Sequence, residues 1–441
     1  MSIGARPFNF SKIELYFIAL FVLSAVLWRI LGHEGILPTL PYNLESVFSA
    51  SDFSSEQLLY RSIDGYAANG DSATGGFMIA IEPTVHIAAV RSIDGPGIQR
   101  DVYPYISHFG LQYHLMKALS LGRAELVLFV YTVGCMFALI AMATVAALIA
   151  AWARMTFSAT HALAVLSVFL FSPMMWERAF SGYWLIFLSF LPFLVSLLFY
   201  RQGMRGGSFA KLCGAIACLV CLKALTGYEY LTTIALSAAV PVVFYEVRAA
   251  EGRLSDAWRV ILINGTWIGS ACFAGFVLAA ALHVWQAAEL FGTWNKGLQA
   301  VFVPFGYSTF GDDTGIRSNA NVDAVGLTIA WVKTLGIRNG IINAAVCGAL
   351  FLGIWRAIYF VRWQRRTPVP LGASNIALSW TILAAVAASG SWQIFALKHT
   401  LVHSHINWIT MYIPFIPLGA VLATDLLVRT GREALTINAE K

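Results

Sequence analysis

The sequence predicts an all-α polytopic membrane protein with about ten transmembrane helices and two large outer loops that carry interfacial helices. Three observations lead there. Apolar residues make up 58% of the 441 residues and charged residues only 12%, against about 25% charged in ordinary soluble domains. Apolar runs long enough to cross a bilayer recur along the whole chain. Between them, every second short link is basic. A soluble chain could not hide this much apolar surface, so lipid must be its solvent. The net charge of +6 then reflects basic cytoplasmic links and not a nucleic-acid partner.

The first run, 13–31, follows Arg6 and Lys12. It is longer than the apolar region of a signal peptide, and no A-x-A-like site follows closely, so it reads as an uncleaved first helix. The next stretch, 32–122, is the longest polar segment and forms the first outer loop. At about 90 residues it far exceeds a usual connection. Within it, 111–121 has Leu111, Leu115, Ala118 and Leu119 on one face, the pattern of a helix lying at the membrane interface. Further spans are expected at about 124–152, 161–176, 183–200, 212–226, 230–247 and 260–285. A second large outer loop, 286–337, is rich in Gly, Asn and Asp. Spans at about 339–360, 374–394 and 406–428 complete the set. The whole chain forms one integral-membrane domain.

Orientation follows from the basic links. With the N-terminus inside, the inner segments hold Arg201, Arg205, Lys211, Arg248, Arg253, Arg259, Arg362, Arg365 and Arg366 among others. Both termini are then cytoplasmic, in a multi-pass membrane protein. Of nine histidines only His161 falls on the inner side, so any chemistry is expected to face outward. The six cysteines all lie within predicted spans. They imply no disulfide framework, and the close set Cys213, Cys218 and Cys221 reads as small residues packing a helix face. The pentapeptide RSIDG at 61–65 recurs at 91–95; two copies are too few for a solenoid.

Four outward constellations can carry chemistry. The first is the acids of the first loop, with Asp52, Asp64 and Asp101 foremost. A carboxylate near the membrane surface can take a proton from an acceptor hydroxyl, or hold a divalent cation against a phosphate; otherwise it is simply solvated. Asp64 sits in an Ile-Asp-Gly turn, and Asp101 abuts the aromatic run that leads back to the membrane. The second is KALTGYEY at 223–230, with Lys223, Tyr228 and Glu229. Charges beside apolar spans are costly and usually pair or serve a pathway, unless the lysine merely snorkels. The third is LKHTLVHSHIN at 397–407, with Lys398, His399, His403, His405 and Asn407. His399 and His403 are helical neighbours. This set can offer donors to a phosphate or sugar, bind Zn²⁺, or serve as an interfacial anchor; phosphate or sugar recognition is the preferred reading, and no metal site is assigned. The fourth is Glu177-Arg178, either a surface ion pair or part of a phosphate site. The GDDTGIR segment at 311–317 reads as turn chemistry. There is no phosphate-binding P-loop, dinucleotide fingerprint or nucleophile elbow.

The layout resembles the GT-C superfamily of integral-membrane glycosyltransferases. The residues that carry the resemblance are the acidic first loop and its exit, DVYPYISHFG at 101–110, with the 223–230 and 397–407 stretches. The adjacent Asp-Glu pair common early in that superfamily is missing, so Asp52, Asp64 and Asp101 all stay open as the base. The resemblance implies transfer of a sugar from a polyprenyl-phosphate-linked donor to an envelope glycan or glycolipid acceptor. Arg178, Lys223, Lys398 and the histidines would meet the donor phosphate. Trp176, Tyr183, Trp184, Tyr228, Tyr230 and Trp408 would stack on sugars, although an aromatic belt explains them equally well. The resemblance implies no certain cofactor, and a divalent cation is one that the acids can hold. Two alternatives stand beside it: an O-antigen-type polymerase or ligase, and a lipid-linked-sugar transporter.

Overall fold

The structure is a computed structural model. It describes residues 11–12, 15–16, 18–20, 22–23, 77–80, 102–105, 109–120, 124–170, 172, 175, 178–179, 185–205, 207–309, 373–396 and 409–439. The expected span at 339–360 and most of both outer loops lie outside them. Of the expected first helix, Lys12, Leu15, Tyr16, 18–20, Val22 and Leu23 are helical, and Ile18 and Val22 pack on the core.

The described chain is helical apart from one short antiparallel ladder in the first loop. There β1 (Phe77–Ala80) pairs with β2 (Val102–Tyr105), with Met78 opposite Pro104. A two-stranded ladder is all edge, which is where a strand proline is tolerated. Gly110, at φ 76°, then turns the chain into α1 (Leu111–Ser120). The bundle follows: α2 (Ala124–Thr156), α3 (Ala159–Leu170), α4 (Phe187–Arg205), α5 (Phe209–Thr226), α6 (Leu231–Ala249), α7 (Leu254–Phe291), α8 (Trp294–Thr309), α9 (Ala373–Phe395), α10 (Ile409–Tyr412) and α11 (Phe415–Ala439).

Six of these helices are long and apolar enough to cross a membrane: within α2 (Val133–Thr156), within α4 (Phe187–Met204), and α5, α6, α7 and α9. Two shorter apolar helices, α3 and the Phe415–Asp425 part of α11, fall on two further expected spans. Helix α6 is the central element. It packs on α4, α5, α7 and α9, and its Ile234, Ala238, Val242, Phe244 and Val247 are buried in the main core. The apolar residues left exposed, such as Phe129, Val133 and Phe137 of α2 or Trp267 and Phe273 of α7, lie on the outside of the bundle. That is the surface a bilayer would cover.

Three departures from the sequence reading have physical causes. The seventh span continues past 285 to Phe291, so α7 has 38 residues and is about 57 Å long, against about 30 Å of hydrocarbon. The first part of the expected second loop is therefore helix. The chain reverses at Gly292, φ 77°, and α8 folds back on α7. A Cβ on Gly297 would press on the backbone of Val284 and Ala288, so only glycine permits that approach. Outward on α8, Trp294, Leu298 and Phe302 form an apolar stripe at helical spacing, as an interfacial helix requires.

The last expected span, 406–428, is not one continuous helix. It is interrupted at a cis Ile413–Pro414 peptide between α10 and α11. Pro417, four residues after Ile413, has no N–H to give its carbonyl, and a free carbonyl in an apolar core costs on the order of several kcal/mol. The Ile413 carbonyl accepts from Ser237 Oγ at 2.9 Å and more weakly from Ser389 Oγ at 3.4 Å. On the next turns, Gln393 and Thr410 side chains meet at 3.0 Å, and Tyr412 donates to Ser172 Oγ at 2.7 Å.

Small residues set the closest helix contacts. A Cβ on Gly275 of α7 would collide with the Ala217 carbonyl of α5. Overpacking of this kind costs about 1–3 kcal/mol. Gly275→Ala is therefore expected to lower the melting temperature of the detergent-solubilised protein by several degrees. Gly214→Ala, where an added Cβ meets open space, should leave it unchanged or slightly raised. Equal melting temperatures for the two variants would refute the close approach of α5 and α7.

Candidate functional site

The α5–α6 turn concentrates the polar groups at one end of the bundle. Lys223 is on the last turn of α5 and only 1% exposed. Its ammonium donates to the Gly227 carbonyl at 3.1 Å and lies 3.8 Å from Glu229 Oε2. The sequence makes this geometry local. Four residues separate Lys223 from Gly227, so the lysine closes over its own helix end, where cations are favoured. Gly227 leaves room for the acid: a Cβ there would collide with the Glu229 carboxylate. Thr226 completes the end by donating to the Lys223 carbonyl at 2.8 Å.

Tyr230 opens α6 in the left-handed region, at φ 64° and ψ 15°, with no measurable exposure. A bulky side chain in that region is strained by about 1–3 kcal/mol and persists where the surroundings over-determine it. The surroundings here are Trp392 of α9, edge-on at 5.5 Å between ring centroids, and Arg178. The Arg178 guanidinium is 6% exposed and interacts electrostatically with the Tyr230 phenol. Burial lowers its pKa to about 10, which leaves it charged at neutral pH. Two buried cations, Arg178 and Lys223, thus flank the Glu229-Tyr230 dipeptide.

A second polar chain runs from this turn to the exit of the first loop. Gln112 of α1, 1% exposed, donates to the Thr226 carbonyl at 3.0 Å. Tyr228 meets His283 Nδ1 of α7 at 2.9 Å, and burial raises the Tyr228 phenol above its ordinary range. One turn on, Gln286 donates to the Phe109 carbonyl at 3.1 Å and meets His114 Nε2 at 2.9 Å. Helix α1 is therefore clamped across the ends of α5 and α7. Its Leu115, Ala118 and Leu119 point away from the protein, and Gln112, Tyr113 and Met116 point inward. Three residues of the expected interfacial face are thus left for lipid, whereas Leu111 packs against the cluster of Cys221, Ala224, Leu225 and Ala279.

Of the residues singled out in the sequence, the structure brings Arg178, Lys223, Tyr228 and Glu229 to one place. Asp52, Asp64 and Asp101 lie outside the described residues, as do Lys398, His399, His403, His405 and Asn407. Gln112, His283, Gln286 and Trp392 were missed as site residues. The signal for Gln112 was available: it is the one amide in α1. His283 is likewise the one histidine in a long apolar helix, and such a residue is a functional candidate by cost alone. Among the described residues no group of His, Cys, Asp and Glu has the arrangement to hold a metal ion, and the described cysteines are free thiols.

Comparison with known proteins adds nothing to this geometry. No family model, curated protein or solved structure matches the chain.

The Lys223–Glu229 pair is asymmetric: the amine is sealed, and the carboxylate is 17% exposed. Glu229→Gln leaves a fully buried charge without its counter-ion, a change that costs about 3–5 kcal/mol in buried pairs. Lys223→Met removes the sealed charge and leaves the one that reaches solvent, so it should cost less. Thermal unfolding in detergent is expected to rank the variants in that order. The reverse ranking would show that Glu229, and not Lys223, holds the buried position.

Proposed function

We propose that the chain is a membrane glycosyltransferase. It would move a sugar from a polyprenyl-phosphate-linked donor to an envelope glycan or glycolipid acceptor, at the outer face of the cytoplasmic membrane. The observation that carries this reading is the pair of buried cations, Arg178 and Lys223, beside Tyr228, Tyr230 and Trp392, at the end of the bundle where α1 docks. A lipid-linked donor needs cations for its phosphate, aromatic faces for its sugar and apolar surface for its tail. In this reading Arg178 and Lys223 supply the positive charge that draws the phosphate to this end. A first-loop acid, Asp52, Asp64 or Asp101, takes the proton from the acceptor hydroxyl as the glycosidic bond forms and the lipid phosphate leaves. Lys398, His399, His403, His405 and Asn407 add donors to the same phosphate or sugar, and a divalent cation bound by the acids would offset the leaving charge.

One observation favours a second reading. The interrupted helix at Ile413–Pro414 is the kind of discontinuous element from which transporters build substrate sites. Flux of a lipid-linked sugar across proteoliposomes with no covalent product would select that alternative.

The deciding experiment is mass spectrometry of surface glycans from cells with and without the protein. Loss of one defined sugar, restored by wild type but reduced at least about tenfold with Lys223→Gln and abolished with Asp64→Asn, is the expected result. Shortened chains with every sugar present would indicate a polymerase or ligase instead. A glycan profile that does not change without the protein would refute sugar transfer to the envelope.

A further inference from the structure

The opposite end of the bundle holds a second, differently built cluster. Helices α4 and α6 run parallel there, and Tyr245 of α6 donates to the Leu197 carbonyl of α4 at 2.6 Å. Trp152 of α2 donates to the same Tyr245 hydroxyl at 3.2 Å. Arg201 follows Leu197 by four residues, and Arg248 follows Tyr245 by three. Each arginine is therefore one turn beyond the tie, on the same face of its helix. The two guanidinium groups interact electrostatically with each other and with Tyr245. Both side chains are half-buried, and Arg248 stacks over the Phe244 ring at 5.9 Å.

No described carboxylate at this end pairs with them. Glu246 is occupied by the Tyr200 hydroxyl at 2.7 Å, which itself accepts from Asn264 at 2.6 Å. Asp256 pairs with Arg253 at 2.9 Å. Among the described residues, neither Arg201 nor Arg248 lies within ion-pair distance of a carboxylate. A helix C-terminus accounts for one favourable cation at each helix end. It does not account for steering two of them together, since like charges at close range repel. An anion between them removes that cost, and the arginine fork matches phosphate oxygens in pairs.

We propose that Arg201 and Arg248 form a binding site for a phosphate-bearing anion, either an anionic lipid headgroup or free phosphate, at the end of the bundle opposite Lys223. The site is independent of the transfer chemistry at the other end. Its half-buried position at the ends of two membrane helices suits a headgroup at the level of the bilayer surface.

Native mass spectrometry of the full chain, with phosphatidylglycerol or phosphatidylcholine titrated in, tests this. Wild type should retain phosphatidylglycerol in preference to phosphatidylcholine. Arg201→Gln and Arg248→Gln should each weaken retention about fivefold. Arg259→Gln, an exposed cation at the same end, should leave it unchanged. Inorganic phosphate added in competition separates the two sources: displacement of the lipid shows that the phosphate group suffices, and no displacement shows that the lipid headgroup is the ligand. Equal retention of the two lipids by wild type would overturn the site even if a variant failed to fold. So would an Arg259→Gln effect as large as that of Arg248→Gln, because the binding would then be a diffuse surface field.

Discussion

Hydrocarbon supplies no hydrogen-bond partner, so each polar group inside the bundle must be met by the protein itself. That constraint explains most of the long-range side-chain bonds in the structure. The Lys223 amine turns back to the Gly227 carbonyl. Asn264 reaches Tyr200, and Tyr200 reaches Glu246, so that three helices share one chain of donors. The Ile413 carbonyl, freed where α10 ends, is taken by a serine from each of two neighbours. Such bonds are worth only about 0.5–1.5 kcal/mol net. Leaving any of these groups unmet costs more, and this fixes which helices can be neighbours.

The two ends of the bundle solve the problem of buried charge in different ways. At the α5–α6 turn the cations lie deeper, and Lys223 has a carboxylate beside it. At the far end Arg201 and Arg248 are shallower and lack one. Burial depth decides the difference. A fully buried charge is tolerable only with a partner, whereas a half-buried guanidinium keeps part of its hydration and part of its reach. Helix α6 joins the two ends, carrying Tyr230 at its start and Arg248 at its finish.

Much of this was legible in the sequence because it follows from local pattern. Apolar runs located α2, α4, α5, α6 and α9 closely. The cost of Lys223 and Glu229 beside apolar spans marked them as residues that pair or serve a pathway, and the structure pairs them with each other. What was not legible depends on tertiary contact. The length of α7 comes from α8 packing back on it through Gly297, and no feature of 286–291 alone requires helix. The docking of Gln112 on Thr226 spans 114 residues and could not be read from periodicity. The aromatic motif 223–230 named Tyr228 and Tyr230 as stacking residues. Only the structure shows that they diverge, Tyr228 toward His283 and Tyr230 toward Trp392.

The break between α10 and α11 faces an irregularity in α6. Pro241 lies inside α6 and gives no N–H to the Ser237 carbonyl four residues earlier. The Ser237 hydroxyl is the group that bonds Ile413. Two neighbouring helices thus lose a backbone bond at one level and are joined there by one side-chain bond. Helices bend where that ladder is interrupted, so this level divides the bundle. The first turns of α6, the four residues of α10 and the last turn of α9, which holds Gln393, lie on the Lys223 side. They are linked to one another by Tyr230–Trp392 and Gln393–Thr410. Those contacts tie α6, α9 and α10 together at the end that holds Arg178, Lys223 and Glu229.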